Sequence, residues 1–384
     1  MTAMPNQPDA PPPCTDTPHA HTHQSHARLR VLDANANRAA EGFRVVEEFA
    51  RFVLNDAFLA ERLKQLRHRL TAALSCLPPL ERLSARDTPG DVGTRISTPA
   101  ESQRPTLDTI VAANLERVEQ ALRCLEEYAK GFAPPLALAA EALRYETYEL
   151  AEPLRRCRDS RERLQDARLY VLIDGAEDCD RMVERVRPLI ETGVDVLQLR
   201  DKRLTDRALL TRAKALRRLT THTRTLFIVN DRPDIAAICE ADGVHIGQDE
   251  LTVKDARRVL LPGQLVGVST HDLAQARAAV LDGADYLGCG PTFPSGTKAF
   301  ERFPGLEFLQ EVAREIGLPA FAIGGIDGSN VDRVTATGLE RIAVSGAVWR
   351  AVDPAAAARS LADCLARDRG SPGTTDLLAR RSTR

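Results

Sequence analysis

The sequence predicts an α/β protein: a (β/α)8 TIM barrel preceded by an all-α helical domain built from a duplicated αα-hairpin. Eight short apolar runs alternate with helical patterns between residues 169 and 346, which is the rhythm of a parallel sheet with a crossover after each strand. Before them the periodicity is helical only, and within that segment one polar series occurs twice. A chain of 384 residues also exceeds the ~250–300 at which single cores stop growing. The expected division is a tail over 1–27, a helical domain over 28–160, the barrel over 165–367 and a second tail over 368–384.

Residues 1–27 are rich in Pro, Thr, His and Gln. His19, His21, His23 and His26 are spaced too tightly for a folded core, so the stretch reads as a disordered tail that takes up nickel or zinc only adventitiously. The 52 Lys and Arg against 54 Asp and Glu leave no basic excess for nucleic acid or a membrane surface. No apolar run reaches the ~18 residues of a membrane span and no signal-peptide pattern is seen, so a cytoplasmic protein is expected. Eight cysteines without a C-x-x-C pair argue for reduced thiols.

In the helical segment, Asp33 is placed to cap a helix running to about Leu54. A second helix covers about Ala57 to Leu77, a third about Leu107 to Lys130, and a fourth begins near Leu136. Pro78 and Pro79 stop the second; Gly131, Pro134 and Pro135 end the third. Asn35, Arg38, Glu41, Arg44, Glu47 and Glu48 recur 79 residues later as Asn114, Arg117, Gln120, Arg123, Glu126 and Glu127. A duplication is the simplest account. The i, i+3 spacing keeps these groups near one side of each helix. They form either a polar cleft that holds an anion through Arg38, Arg44, Arg117 and Arg123, or a solvated face of structural ion pairs. Between the copies lies RDTPGDVGT (86–94), where Gly90 and Gly93 suit a phosphate and Asp87 or Asp91 a magnesium ion. An ordinary surface loop would read much the same.

LDANANRAAEGFRVVEEFARFVLND, RDTPGDVGT and AANLERVEQALRCLEEYAKG together resemble the helical domain often fused to thiamine-phosphate synthases. The resemblance covers about residues 28–155 and implies a hydroxymethylpyrimidine-phosphate kinase, with ATP as a partner. No Walker loop or other nucleotide motif stands in these residues, and a non-catalytic assembly module is the competing expectation.

The apolar runs are LYVLI (169–173), VDVLQLR (194–200), LFIVND (226–231), GVHIG (243–247), LVGVS (265–269), YLGCG (286–290), AFAIGG (320–325) and IAVSG (342–346). A doubly wound open sheet is the alternative to a barrel. Barrels place their chemistry where strands end, and polar residues stand there after seven of the eight runs. Gln198, Arg200 and Lys202 follow the second run; Asn230 and Asp231 the third; Gln248, Asp249 and Glu250 the fourth; Ser269, Thr270 and His271 the fifth. The sixth breaks into GPTFPSGTK, ending at Lys298. Gly324 and Gly325 close the seventh, and Ser345 and Gly346 the eighth. Arg200, Lys202 and Lys298 supply cations for a diphosphate, and Asp231 with Asp249 or Glu250 supplies hard oxygens for one Mg2+. Backbone amides after the seventh and eighth runs suit a monophosphate. His271 is the weakest candidate, since a lone histidine beside a strand end is more often structural.

QLRDK, FIVND, GVHIGQDE, GVSTH, GPTFPSGTK, AIGGI and IAVSGAV, in this order, resemble thiamine-phosphate synthase across 168 to about 365. The resemblance implies a Mg2+-dependent transferase, expected as a homo-oligomer, that joins hydroxymethylpyrimidine diphosphate to a thiazole phosphate and releases pyrophosphate. It implies Gln198, Leu199, Arg200, Asp201, Lys202, Asn230, Ser269 and Lys298 for the pyrimidine diphosphate, with Lys298, Arg200 and Lys202 catalytic. It assigns Ser295, Gly296, Thr297, Gly325, Ser345 and Gly346 to the thiazole phosphate, and Asp231 with the carboxylate after the GQ pair to the metal. Two positions depart from the family pattern. The second carboxylate falls on Glu250 by strict spacing, with Asp249 displaced by one, and Ser295 stands where a threonine is usual. Rival expectations are a thiazole tautomerase-like barrel, which has no diphosphate to hold, and a non-catalytic phosphate sensor.

Overall fold

The structure, a computed structural model, describes residues 18–92, 104–294 and 303–367, with side chains from residue 24 onward. Its described residues form two compact units. One contains the residues up to Val46 with Leu63–Tyr148; the other contains Glu47–Arg62 and the chain from Glu149 onward.

Helix α1 runs Pro18–Phe52, so residues 18–27 of the expected tail are helical. Residues 1–17 and 368–384 lie outside the described residues. Asp33 does not start this helix. The buried stripe Leu29, Leu32, Ala36, Ala39 and Phe43 continues through it at helical spacing. Asp33 is 3% exposed, and its carboxylate accepts from Arg86 Nε at 2.8 Å and Nη2 at 3.1 Å. It anchors the start of the loop between the repeats.

Helix α2 spans Ala57–Ala73 and passes through a 3-10 turn, Leu74–Cys76, to a short α3, Pro79–Ser84. Helix α4, Leu107–Ala129, opens on a capping box between Thr106 and Thr109. Helix α5 spans Pro134–Arg163. Pro134 thus opens α5, because a first-turn proline lacks only an N–H that would have no helical partner. The two copies of the repeat share a detail: Asn35 Nδ2 donates to Val31 O at 2.9 Å and Asn114 Nδ2 to Ile110 O at 2.8 Å. Helices α1 and α4 cross at Gly42, where a Cβ would lie 2.6 Å from Val118 Cγ2 and 3.1 Å from Asn114 O.

The sheet is a closed, all-parallel barrel in the order β1 to β8, not an open doubly wound sheet. Its strands are β1 (Leu169–Ile173), β2 (Val196–Leu199), β3 (Leu226–Asn230), β4 (Gly243–Ile246), β5 (Leu265–Thr270), β6 (Tyr286–Cys289), β7 (Ala320–Ile323) and β8 (Ile342–Val344). The crossovers are α6 (Cys179–Thr192), α7 (Asp206–Thr220), α8 (Pro233–Ile238), α9 (Val253–Val259), α10 (Leu273–Leu281), α11 (Gly305–Glu315) and α12 (Val331–Thr335). After β8 come α13 (Gly346–Trp349) and α14 (Pro354–Arg367). Tyr170, Val196, Ile228, Leu265, Tyr286, Phe321 and Ala343, one from each of seven strands, meet in a single buried cluster that Leu164 and Ala167 close from below. Side chains alternate along a strand, so these residues fix which positions face the barrel interior.

Residues 47–62 join the barrel unit through specific bonds at the N-terminal end of β7. Asp56 accepts from Gly317 N at 2.8 Å and Leu59 N at 2.7 Å. Arg161 Nη1 donates to Leu54 O at 2.6 Å and Gly317 O at 3.1 Å. Burial raises the Asp56 carboxyl above its usual range, and the two backbone donors oppose that rise without cancelling it.

Candidate active site

Inward parity, set by the buried cluster, continues upward into polar residues. Val196 is followed on that face by Gln198 and Arg200, Ile228 by Asn230, Gly243 by His245, Leu265 by Gly267 and Ser269, and Ala343 by Ser345. The register aligns them: Gln198 pairs with Ile228, Asn230 with His245, His245 with Gly267, and Ser269 with Gly288. Apolar layers below and polar layers above give a packed barrel whose C-terminal rim carries the polar side chains.

On that rim, Lys202 Nζ lies 3.0 Å from Asp231 Oδ2 and 3.6 Å from Glu250 Oε1. The hydrogen bond it donates to Asp231 raises the Lys202 ammonium further above its ordinary value, so it stays charged. Asp231 holds a left-handed backbone, φ 60°, with its N–H on His245 O at 2.8 Å. Asp tolerates that conformation better than most residues, and here it aims the carboxylate at Lys202. Asp249 is exposed and makes no ion pair. Asp231 and Glu250 therefore already converge on one cation. Two carboxylates and no third acidic or imidazole ligand among the described residues is the donor set that suits Mg2+ when substrate phosphates complete its shell. The residues fit the metal.

The other expected residues divide. Arg200 is exposed at the rim. Leu199 is buried, 1% exposed. Asp201 turns into the loop, accepting from Gly175 N at 3.2 Å, Arg203 N at 2.9 Å and Arg203 Nη2 at 3.0 Å. The Arg203 guanidinium and those amides hold its carboxyl down at about 2. His271 Nδ1 meets Gly290 O, the carbonyl of a cis Gly290–Pro291 bond, so this histidine is tied to the strand-six loop.

The opening of that loop is stapled to β7. Thr292 N donates to Ile323 O and Phe293 N to Gly324 O, both at 2.9 Å. Gly325, φ 67°, packs so tightly that a Cβ would lie 2.8 Å from the carbonyl oxygens of Phe293 and Pro294. Gly325 and Ser345 stand one step above the paired residues Ile323 and Ala343. Gly346 is exposed beside Ser345. Ser295, Gly296, Thr297 and Lys298 lie outside the described residues.

Three residues absent from the sequence reading join this site. Gln198 Nε2 donates to Tyr170 Oη at 2.7 Å, and Tyr170 Oη lies 3.0 Å from Tyr286 Oη. His245 Nδ1 lies 3.3 Å from Tyr286 Oη, and its Nε2 lies 3.0 Å from Ser269 Oγ. Burial pushes the His245 imidazole down to about 4, against the pull of the Asp231 charge. A signal for them was in the sequence: Tyr170, His245 and Tyr286 occupy inward positions within runs that otherwise read as plain apolar strands.

This rim gathers hard acidic oxygens and cations around one barrel mouth, a set of groups suited to an enzyme that takes phosphorylated small molecules. Residues 169–348 match the family described as thiamine monophosphate synthase, and residues 30–153 match the ThiD2 family. The thiamine-phosphate synthase of Rhodopirellula baltica is 46% identical over 334 residues, covering 85% of this chain and 89% of the relative. That of Gloeobacter violaceus is 45% identical over 327 residues, covering 85% and 93%. Among solved structures, thiamine phosphate pyrophosphorylase from Pyrococcus furiosus is 35% identical with a TM-score of 0.47, covering 52% of this chain and 96% of its own. The chain belongs to the thiamine-phosphate synthase family, and with it to the transferases.

Proposed function

We propose that the barrel joins 4-amino-2-methyl-5-(diphosphooxymethyl)pyrimidine to 4-methyl-5-(2-phosphooxyethyl)thiazole and releases pyrophosphate. The observation that carries this reading is the single cluster of Lys202, Asp231 and Glu250 beside Arg200, above an inward layer containing Gln198, Asn230 and Ser269. A tautomerase would need no such diphosphate cradle, and a sensor would need no transferase family around it. In this reading Gln198, Asn230 and Ser269 bind and orient the pyrimidine diphosphate, while Arg200, Lys202 and Lys298 neutralise the departing pyrophosphate. Asp231 and Glu250 would hold Mg2+, which when bound adds charge neutralisation on the same leaving group. Gly325, Ser345 and Gly346, with Ser295, Gly296 and Thr297, take the thiazole phosphate.

The bond to pyrophosphate breaks first, leaving a pyrimidine-stabilised carbocation that the thiazole nitrogen traps. Little proton transfer is needed, which agrees with a mouth rich in fixed charges and a histidine that burial keeps neutral. The test is pyrophosphate release from the protein with Mg2+ and both substrates. No release above that from either substrate alone would defeat the reading.

For the helical segment we infer phosphorylation of the pyrimidine monophosphate by ATP, supported by the ThiD2 match over residues 30–153. The full chain with ATP and pyrimidine monophosphate should form the diphosphate, and its absence would favour an assembly module. We also propose a cytoplasmic homo-oligomer, which light scattering on the purified chain checks. No described helix is long and apolar enough to cross a membrane, and the seven described cysteines are all free thiols.

A further inference from the structure

We infer that Tyr170, Tyr286 and His245 are positioning residues that carry one fixed hydrogen-bond direction through the barrel, so that Gln198 offers a bare acceptor and Ser269 a free donor to one substrate. Gln198 is 2% exposed, and its Oε1 is buried without a hydrogen-bond partner among the described residues. An unmet buried acceptor costs on the order of 1–3 kcal/mol, so it calls for a ligand donor.

The donors and acceptors along the chain can then be counted. Gln198 Nε2 donates to Tyr170 Oη, so the Tyr170 proton is free to go to Tyr286 Oη. The Tyr286 proton then goes to His245 Nδ1, which must be bare, and the single ring proton sits on Nε2 and is given to Ser269 Oγ. The Ser269 proton is the one left without an acceptor among the described residues. Reversing the chain beyond Tyr170 would strand the Tyr170 proton in an interior where it is 2% exposed. With Gln198 Nε2 donating to Tyr170 Oη, this is the direction in which both tyrosine protons and the His245 ring proton find acceptors.

The packing holds the rings in this arrangement. At inward Gly267 a Cβ would lie 2.1 Å from Tyr286 Cζ, and at inward Gly288 it would lie 3.0 Å from His245 Cε1. Only the missing side chains leave room for both rings. Phe321 wedges Tyr170 and Tyr286 from the other side, with centroids 5.2 and 5.7 Å away, both edge-to-face. A rigid chain of this kind fixes the Gln198 amide in one orientation. With the amide held this way, a pyrimidine carrying an exocyclic amine beside Gln198 is favoured over the matching oxo-pyrimidine, whose oxygen would face Oε1.

This inference rests on the pyrimidine diphosphate as the barrel substrate, so the tests separate the two. The first compares kcat/KM for the amino-pyrimidine diphosphate and its oxo analogue in the natural chain and in Tyr286→Phe. That variant cuts the chain and frees the amide to flip. The preference for the amine should fall at least ~10-fold, because discrimination built on buried polar groups is lost when those groups can re-pair. The thiazole phosphate KM should stay within about twofold, which loss of packing alone would not spare. His245→Gln, which can still donate to Ser269, should retain more pyrimidine affinity than His245→Leu. The second test needs no variant to be active. A 15N spectrum of the histidine rings in the unaltered protein, with His245 assigned by its loss in His245→Gln, should show the Nε2–H tautomer. An unchanged amine preference in a folded Tyr286→Phe, or an Nδ1–H tautomer, overturns the inference. If the natural chain releases no pyrophosphate, the substrate reading falls while the tautomer result still judges the hydrogen-bond direction.

Discussion

Two regions of this molecule carry the same kinds of polar residue and use them in opposite ways. In the helical unit, Asn35 and Asn114 turn back onto their own helices, and Arg123 lies 2.6 Å from Glu126 and 2.7 Å from Glu127. Arg144 closes the set, 2.8 Å from Glu126 and stacked over Tyr145 at 4.7 Å. In the barrel mouth, the Arg200 side chain has no partner among the described residues and Gln198 Oε1 has none. Charge and spacing look alike in both places. What separates the two is the buried groups: Glu126 is fully paired, whereas Gln198 Oε1 keeps bonding capacity that the described residues leave unmet.

The largest expected effect tests that contrast directly. Arg200→Ala should lower pyrophosphate release at least ~100-fold, the scale for losing one electrostatic stabiliser of a leaving group. Arg117→Ala, on the exposed face of α4, should change the same rate by less than about twofold. Equal losses in both variants would break the distinction between the two regions.

The reverse effect is expected for stability. Burial would raise the Glu126 carboxyl, but hydrogen bonds from Arg144 and Arg123 outweigh it and hold the group below the usual carboxylate range. A carboxyl lowered in the folded state adds stability above its unfolded value, near pH 4.3, and loses it as pH falls through the folded value. Glu126→Gln should therefore cost about 1.5–3 kcal/mol at pH 7, the range for hydrogen bonds to charged groups. The difference should shrink below about pH 4. Thermal melts of both proteins across pH 3–7 measure this, and a gap that stays constant with pH would show that the ion pair is not its source.

How much of this was readable in advance follows the same divide. The eight strands were legible because each buried run breaks into glycine or polar residues at the rim; β1 matches its expected span, 169–173. The rim residues were legible because barrel chemistry sits at strand ends. Asp33 was misread because a carboxylate ahead of an apolar stripe resembles a cap, while the partners that bury it, Arg82 and Arg86, lie about fifty residues away. Residues 47–62 gave no sign of joining the barrel unit, since Asp56 and Leu54 reach it through bonds to Gly317 and Arg161. The Tyr170–Tyr286–His245 chain joins three strands, β1, β6 and β4, that meet only across the barrel interior. A strand-by-strand reading sees each ring as one more core residue.

The smallest expected effect falls on the one ambiguity that sequence spacing left open at the rim. Asp249 and Glu250 are neighbours with the same charge, and either could follow the GQ pair as the second metal ligand. The structure separates them by direction: Glu250 Oε1 approaches the Lys202 ammonium that Asp231 also binds, whereas Asp249 is exposed and makes no ion pair. A site that gathers two carboxylates around one positive charge is arranged to gather them around another. Glu250→Gln should accordingly raise the Mg2+ concentration for half-maximal pyrophosphate release at least ~10-fold, the scale found even for groups one step removed from a metal. Asp249→Asn should shift it by less than about twofold, as for an exposed side chain without partners. The opposite ranking would make Asp249 the ligand and Glu250 a partner of Lys202 alone. It would also show that a shared counter-ion at this rim does not mark the metal position.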